Sequence, residues 1–282
     1  MLTVDQFIRN IDHLPPLPRN LAMLTELLEN PEINIDQVVS LIQYDPALTA
    51  QVMRLCNSAY FGASTPASDL HEAATRLGFN NIFQLVASLS TSTLLRPAQK
   101  GYGIEPGELW RHSVTSGLIG KCIALERDEN PSLVFTACLL HDLGKIVLSR
   151  NLEAKYNEVV AEAQRSQTPM VAVEKHILGI DHAEIGGHLL RRWQFPAPLA
   201  AAVQWHHEPG QAGEHSRLAA YACTANMIAC FMGFGCGYQA LAVKCRTEAM
   251  DILGIISEDI PRFMTKAFYA LGDVQAVLDI QF

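Results

Sequence analysis

Phe135-Thr-Ala-Cys-Leu-Leu-His141-Asp142-Leu-Gly-Lys145 joins an apolar run to two adjacent side chains that can ligate a metal. The run continues a pattern set from Pro131, and the stretch reads as a helix over 131–143 with Gly144 as its C-terminal break. Neighbours on a helix differ by about 100° in direction, so His141 and Asp142 do not share a face. They can still converge on an ion lying between those directions. Lys145 has two readings. It is a point charge for a phosphate behind a sharp turn at Gly144, or a cation answering the helix dipole after a glycine cap.

Helix signals dominate outward from this stretch, and strand-like alternation is scarce. Toward the N-terminus, Leu14-Pro-Pro-Leu-Pro18 precedes a helix over Arg19 to Asn30, which Asn30-Pro31 stops. Ile35, Val38, Val39 and Ile42 fall on one face of a second, short helix. Asp45-Pro46 places an acidic cap before Pro at a first helical position, opening a helix that carries Leu48, Val52 and Leu55. Asp69 and Glu72 form a capping-box pattern, Gly78 a C-terminal cap, and Asn80 the next start. Four breakers between Pro97 and Gly107 mark a boundary between two helical lobes, 1–100 and 105–282, of a single module. Helices are then expected at 108–127, 131–143, 152–166, 170–177, 182–193, 197–207, 215–231, 238–252 and 260–280. Asp181 with Glu184 reads as another capping box, stapled by Ile180 and Ile185. The alternating glycines of Phe231-Met-Gly-Phe-Gly-Cys-Gly-Tyr238 follow no predicted strand, so they read as an interhelical loop and not a phosphate cradle.

Bulk properties narrow the function classes. The chain has 282 residues of which 49% are hydrophobic, enough to bury a sizeable core. A formal net charge of -8 leaves no basic footprint for DNA or RNA, so direct nucleic-acid binding is not expected. Met1-Leu2-Thr3-Val4-Asp5 lacks the basic start of a signal peptide, and no uninterrupted apolar run approaches the roughly 18 residues that span a bilayer. A cytoplasmic protein without membrane contact is the expectation. Seven cysteines, odd in number and without a Cys-x-x-Cys pair, agree with buried thiols in a reducing compartment.

Placement makes some of the ten histidines informative. His112 lies early in a helix, His141-Asp142 close the apolar run, His182 opens a helix, and His206-His207 end one. Imidazole and carboxylate together suit Zn, Fe, Mn or a similar divalent transition metal. The alternative is a set of core and surface histidines, with His141-Asp142 hydrogen-bonded inside a helical bundle. His13, His71, His176, His188 and His215 have no such context.

His112 followed by His141-Asp142-Leu-Gly-Lys145 resembles the HD superfamily of metal-dependent phosphohydrolases. His182-Ala-Glu-Ile-Gly186 and Trp205-His-His-Glu208 resemble the added ligands of its HD-GYP branch, which cleaves cyclic dinucleotides. That likeness implies His112, His141, Asp142, His182, His206 and His207 as metal ligands, with Lys145 steadying charge if the chain is active. It departs in two places. Ala222-Cys-Thr-Ala-Asn-Met-Ile228 offers Asn226 where the superfamily has a distal Asp, and no Gly-Tyr-Pro motif follows His207. Leu14–Pro18, Asp45-Pro-Ala-Leu-Thr-Ala-Gln-Val-Met-Arg-Leu-Cys-Asn-Ser-Ala-Tyr-Phe-Gly62 and Ala73-Ala-Thr-Arg-Leu-Gly78 closely resemble the HDOD family, and the likeness covers about residues 10 to 230. It implies an all-α, two-lobed fold and a bacterial signal-transduction output module, non-catalytic as the two departures also argue, acting through signalling proteins or a nucleotide or phosphate ligand. The alternative it leaves is a metal-dependent phosphohydrolase.

Overall fold

A computed structural model describes residues 34–43, 46–57, 66–153, 155, 158–159, 161–162, 165, 168–235 and 247–278. The expected Leu14–Pro18 segment, the helix over 19–30, the Asp45 cap, the exit turn after Asn57 and the start of the helix at 238 lie outside those residues, as does part of 152–166. Among the described residues every regular element is helical, and a single bridge between Gln99 and Ile104 is the sole strand-type pairing.

The helices are numbered along the chain. α1 (Ile35–Ile42) starts on a capping box between Asn34 and Gln37 and buries Val38 and Ile42. α2 (Pro46–Cys56) begins at its proline, as expected, and buries Val52 and Cys56. At α3 (Leu70–Leu77) only half of the expected box forms. Asp69 accepts from the Glu72 amide at 2.8 Å, but the Glu72 carboxylate reaches one residue further back, to the Ser68 amide. Gly78 both ends α3 and precedes α4 (Phe79–Leu95), which therefore starts one residue before the predicted Asn80.

The breaker-rich segment after α4 is packed in place. Gln99 and Ile104 exchange backbone hydrogen bonds around a 3-10 turn at Lys100–Tyr102, and the Gly101 amide donates to Ser149 Oγ at 3.0 Å. Tyr102 is consequently buried. α5 (Glu108–Glu126) and α6 (Pro131–Leu140) follow, and α6 is apolar all round because Val134, Phe135 and Ala137 to Leu140 are all buried. Pro131–Ser149 is long and apolar enough to cross a membrane by length and composition, yet 94% of it is buried within the fold.

Helices were expected at 131–143 and 152–166, but α6 stops at Leu140 and α7 runs over Gly144–Leu152. Gly144 is thus the first residue of a helix and not a terminal cap. A side chain there would collide with the His182 carbonyl and the Gly186 amide, so the glycine is what lets α7 approach the next helix pair. α8 (Met170–Leu178) ends at Gly179 in the left-handed region, φ 77°. α9 (His182–Arg192) starts on the predicted Asp181–Glu184 box, with Ile180 and Ile185 both buried. α10 (Ala197–Gln204) ends three residues earlier than expected, leaving His206 and His207 in the turn beyond it. α11 (Ser216–Ala229) passes into a π-helical turn, Cys230–Phe234, where an interhelical loop was expected. α12 (Thr247–Leu253) and α13 (Ile260–Leu278) complete the described bundle.

One large apolar cluster joins α1–α4 to α5–α10, from Val38 to Val203 and on to Leu271. A second, built from Ile119, Ile123, Val134, Cys138, α11, α12 and Phe263, packs behind it. The histidine-bearing helix ends converge between them.

Candidate metal centre

Six predicted ligands meet at one buried point. α5 supplies His112, the turn between α6 and α7 supplies His141 and Asp142, the first residue of α9 is His182, and the turn after α10 carries His206 and His207. His112, His141, Asp142, His182 and His206 are buried and His207 is half-buried. The break at His141 gives the adjacent pair its shared aim, because neither residue lies inside a continuous helix.

The cluster has two halves that share one carboxylate. In the first, Asp142 Oδ2 lies 3.5 Å from His112 Nε2 and 3.3 Å from His141 Nε2. In the second, Asp142 Oδ1 lies 3.3 Å from His182 Nε2 and 3.9 Å from His206 Nε2, and His207 Nε2 lies 3.0 Å from His182 Nε2. Each half offers three donor atoms within 4.8 Å of one another: His112, His141 and Asp142 in one, His182, His206 and His207 in the other.

Outer contacts fix how the rings present themselves. The Nδ1–H groups of His112, His141 and His206 donate to the carbonyls of Phe234 (2.9 Å), Cys138 (2.7 Å) and Val203 (2.8 Å). That choice of tautomer leaves each Nε2 lone pair facing the cluster. His182 Nδ1 instead donates to Glu174 Oε2 at 2.7 Å, and the same oxygen accepts from the His182 amide at 2.8 Å. Such carboxylate–histidine pairing is a recurrent support for metal-binding imidazoles.

Electrostatics separates the rings. Burial, and after it the neighbouring His141, pushes His112 down to about 3, and burial with neighbouring histidines holds His206 and His207 well below the ordinary imidazole range. These three are neutral and keep their lone pairs. Burial opposes charge on His182 as well, but the Glu174 and Asp142 carboxylates outweigh it and raise the ring to about 9. Burial likewise opposes ionisation of Asp142, yet the neighbouring His141, Lys145 and His182 side chains hold it well below the usual carboxylate range.

Lys145 is a buried cation in the first turn of α7. Its Nζ donates to Asp142 Oδ2 in a short hydrogen bond, so it neither caps the end of a helix nor reaches solvent. Four polar atoms of the centre have no hydrogen bond of good geometry: Asp142 Oδ1, His206 Nε2, Glu174 Oε1 and the hydroxyl of Tyr102, the last two from neighbouring side chains. Buried polar atoms of this kind are costly without a partner. Two pairs of Nε2 atoms also face each other at 3.2 and 3.0 Å. Inward-facing imidazole nitrogens, a carboxylate between them and orphaned buried atoms fit a bound metal ion.

Asn226, at the position expected for the distal carboxylate, has its amide engaged by a thiol. Its Oδ1 accepts from the Cys230 thiol at 3.6 Å, a thiol that burial pushes up to about 11 within reach of the Lys145 and Asp142 charges. A groove of about 490 Å³ reaches the cluster at His207. Asp181, Glu184, Glu208 and Glu248 line it, and its one lysine, Lys175, is paired with Glu184 at 3.0 Å and with Asp181 at 3.7 Å. The mouth is therefore acidic.

Glu174 and Tyr102 belong to the centre and carry no motif. Glu174 shares the i, i+3, i+4, i+7 stripe of α8 with Met170, Val173 and Ile177, so an acid on an apolar face was the available signal. Tyr102 had none, since its phenol comes from the breaker-rich segment. Burial and then the neighbouring Glu174 carboxylate push that phenol well above its usual value.

Comparisons with known proteins agree with this architecture. An HDOD domain profile matches residues 14–209. An HDOD domain protein of unknown function from Geobacter sulfurreducens superposes with a TM-score of 0.78 at 22% identity, covering 99% of this chain and 97% of that one. A candidate phosphohydrolase from Shewanella amazonensis gives a TM-score of 0.72 at 24% identity, with 96% of each chain covered. A candidate signal transduction protein from Marinobacter aquaeolei gives 0.73 at 22% identity over 96% of this chain and 59% of that one. At such identities these likenesses speak to the fold. An uncharacterised protein of Treponema pallidum is 28% identical over 237 residues, 82% of this chain, which spans less than half of that relative. A profile match over well more than half of the sequence, on an all-helical scaffold with the HD-type cluster in place, shows that the chain belongs to the HDOD family.

Proposed function

We propose that the chain is a regulatory module of signal transduction whose buried histidine cluster binds divalent first-row metal and acts through occupancy, not turnover. The observation that carries this reading is the three-donor set of His112, His141 and Asp142 beside that of His182, His206 and His207, with the second Asp142 oxygen facing the latter and three rings oriented by backbone carbonyls. Two features favour binding over hydrolysis. The late helix supplies an amide at Asn226, already engaged by Cys230, and the groove meeting the cluster is lined by carboxylates that repel a phosphodiester. Docking of partner proteins on helical surfaces in the cytoplasm belongs to the same proposal.

A second reading rests on Asp142 itself, because a carboxylate shared by two donor sets with a buried lysine beside it is what two-metal phosphodiester hydrolysis uses. Bound metal would supply a polarised phosphoryl group and an activated water. Lys145 would then steady charge on a non-bridging oxygen, and His207 would meet the substrate at the groove.

Metal analysis of the purified protein and of a His141→Ala/Asp142→Ala variant, followed by hydrolysis assays on a cyclic dinucleotide and a generic phosphodiester with Mn²⁺ or Fe²⁺, separates the readings. Near-stoichiometric metal that the double variant loses, without turnover, is the expected result. Chelator-sensitive turnover would make the second reading correct, and a metal-free protein that takes up none would overturn both.

A further inference from the structure

The two halves of the cluster differ in one respect that bears on loading. Lys145 places a covalently tethered ammonium on Asp142 Oδ2, the oxygen that faces His112 and His141. An ion entering that half must displace the ammonium or share one carboxylate oxygen with it, inside a cavity where both are buried and like charges are poorly screened. In the other half the described ion pairs of Asp142 Oδ1 are with His182 and His206, and Lys145 is a lesser electrostatic influence on His182 and His207. Asp142 Oδ1 and His206 Nε2 are orphaned there, and the Glu174 carboxylate adds negative charge through His182. The acidic groove opens at His207, on this same half.

We propose that the cluster loads asymmetrically: a divalent ion binds first at His182, His206 and His207 with Asp142 Oδ1, while Lys145 acts as a built-in counter-ion that weakens the His112–His141 half. Glu174 is the positioning residue for the first ion. It fixes the His182 ring by gripping Nδ1 and the backbone amide of one residue with a single oxygen. Losing such a support typically weakens metal binding by about 10–100-fold.

This inference rests on the metal reading above, and the two fail separately. Chelator-stripped full-length protein is titrated with Mn²⁺ by calorimetry, with bound metal counted after gel filtration. Wild type should show one tight step and a second that is weak or missing. His182→Ala should lose the tight step and His112→Ala keep it, with the asparagine variants at both positions standing in where alanine prevents folding. Glu174→Gln should weaken the tight step by about 10–100-fold and leave the weak one alone. Lys145→Met should strengthen the weak step about tenfold or more, a gain that damaged packing would not give. Two equal steps in wild type, loss of the tight step in His112→Ala, or an unchanged weak step in Lys145→Met overturns the loading order while leaving metal binding intact. No Mn²⁺ uptake by wild type removes the metal reading itself and the order with it.

Discussion

Asp142 concentrates the chemistry of the centre in one side chain. Its two oxygens face different histidine sets, and it is ionised in spite of full burial because His141, His182 and Lys145 surround it. Removing the carboxylate leaves Lys145 as an uncompensated buried cation, so Asp142→Ala should cost about 3–5 kcal/mol of stability in metal-free protein, read by denaturant unfolding. A smaller loss for the Asp142→Ala/Lys145→Met double variant would identify the stranded charge as the cause. The histidines impose a pH profile with two flanks. His112, His206 and His207 are depressed in the folded state, so below about pH 6.5 the unfolded chain binds protons that the folded one refuses, and stability falls as pH drops. His182 has the opposite sign. Raised to about 9, it contributes stability that is full below about 6.5 and is lost as pH rises through 9. Metal-free protein in chelator should therefore melt highest near pH 6.5. Replacing His112 with Asn should flatten the acid flank by on the order of 3 kcal/mol at pH 4. An acid flank unchanged by that replacement would show that other groups set it.

At the scale of elements, the centre depends on where helices stop. α6 ends at Leu140, α9 begins at His182, and α10 ends at Gln204, so every inner ligand except His112 sits at or just beyond a helix terminus. Helix ends at those points bring residues from different elements toward one spot. Gly144 is the element-level hinge of the arrangement, since α7 lies against the His182 carbonyl where a methyl group cannot fit. Gly144→Ala should cost about 3 kcal/mol, because backbone on both sides has little room to yield, and should weaken metal binding through displaced His182. Unchanged thermal stability in that variant would refute the close approach. The same positions show what the sequence made legible. The Asp181–Glu184 box and the proline start of α2 rely on contacts within four residues, and local patterning reveals them. The histidine set was legible too, because all of its members except His112 sit at a helix start or end. Gly144-Lys145 was not, since a glycine after an apolar run reads as a stop, and only the crossing of α7 with α9 explains why it is a start. Glu174 and Tyr102 escaped for a similar reason: their partners are fixed by packing of α8 and of the 97–107 segment, not by spacing.

Across the whole molecule, the breaker-rich segment between α4 and α5 interrupts the helices but not the core. Residues of α1–α4 such as Val38, Ile42, Val52 and Phe83 belong to the same apolar cluster as Leu109, Phe135, Leu148 and Val203. Trp110 of α5 donates its indole N–H to the Ser88 carbonyl of α4 at 2.9 Å, under the Arg96 guanidinium. The segment itself is anchored through Gly101 on Ser149 of α7, and its Tyr102 lies beside Glu174, one contact away from His182. The amino-terminal helices and the centre therefore share one core, and the expected outcome is that they unfold together. Urea unfolding followed by far-ultraviolet dichroism and by tryptophan fluorescence should give coincident transitions, and a fragment covering 105–282 should expose enough apolar surface to bind a hydrophobic dye. Two separated transitions, or a stable fragment that binds no dye, would mean that the segment divides the chain into independent folding units. In that event a signal could not pass from the first helices to the histidine cluster by packing alone.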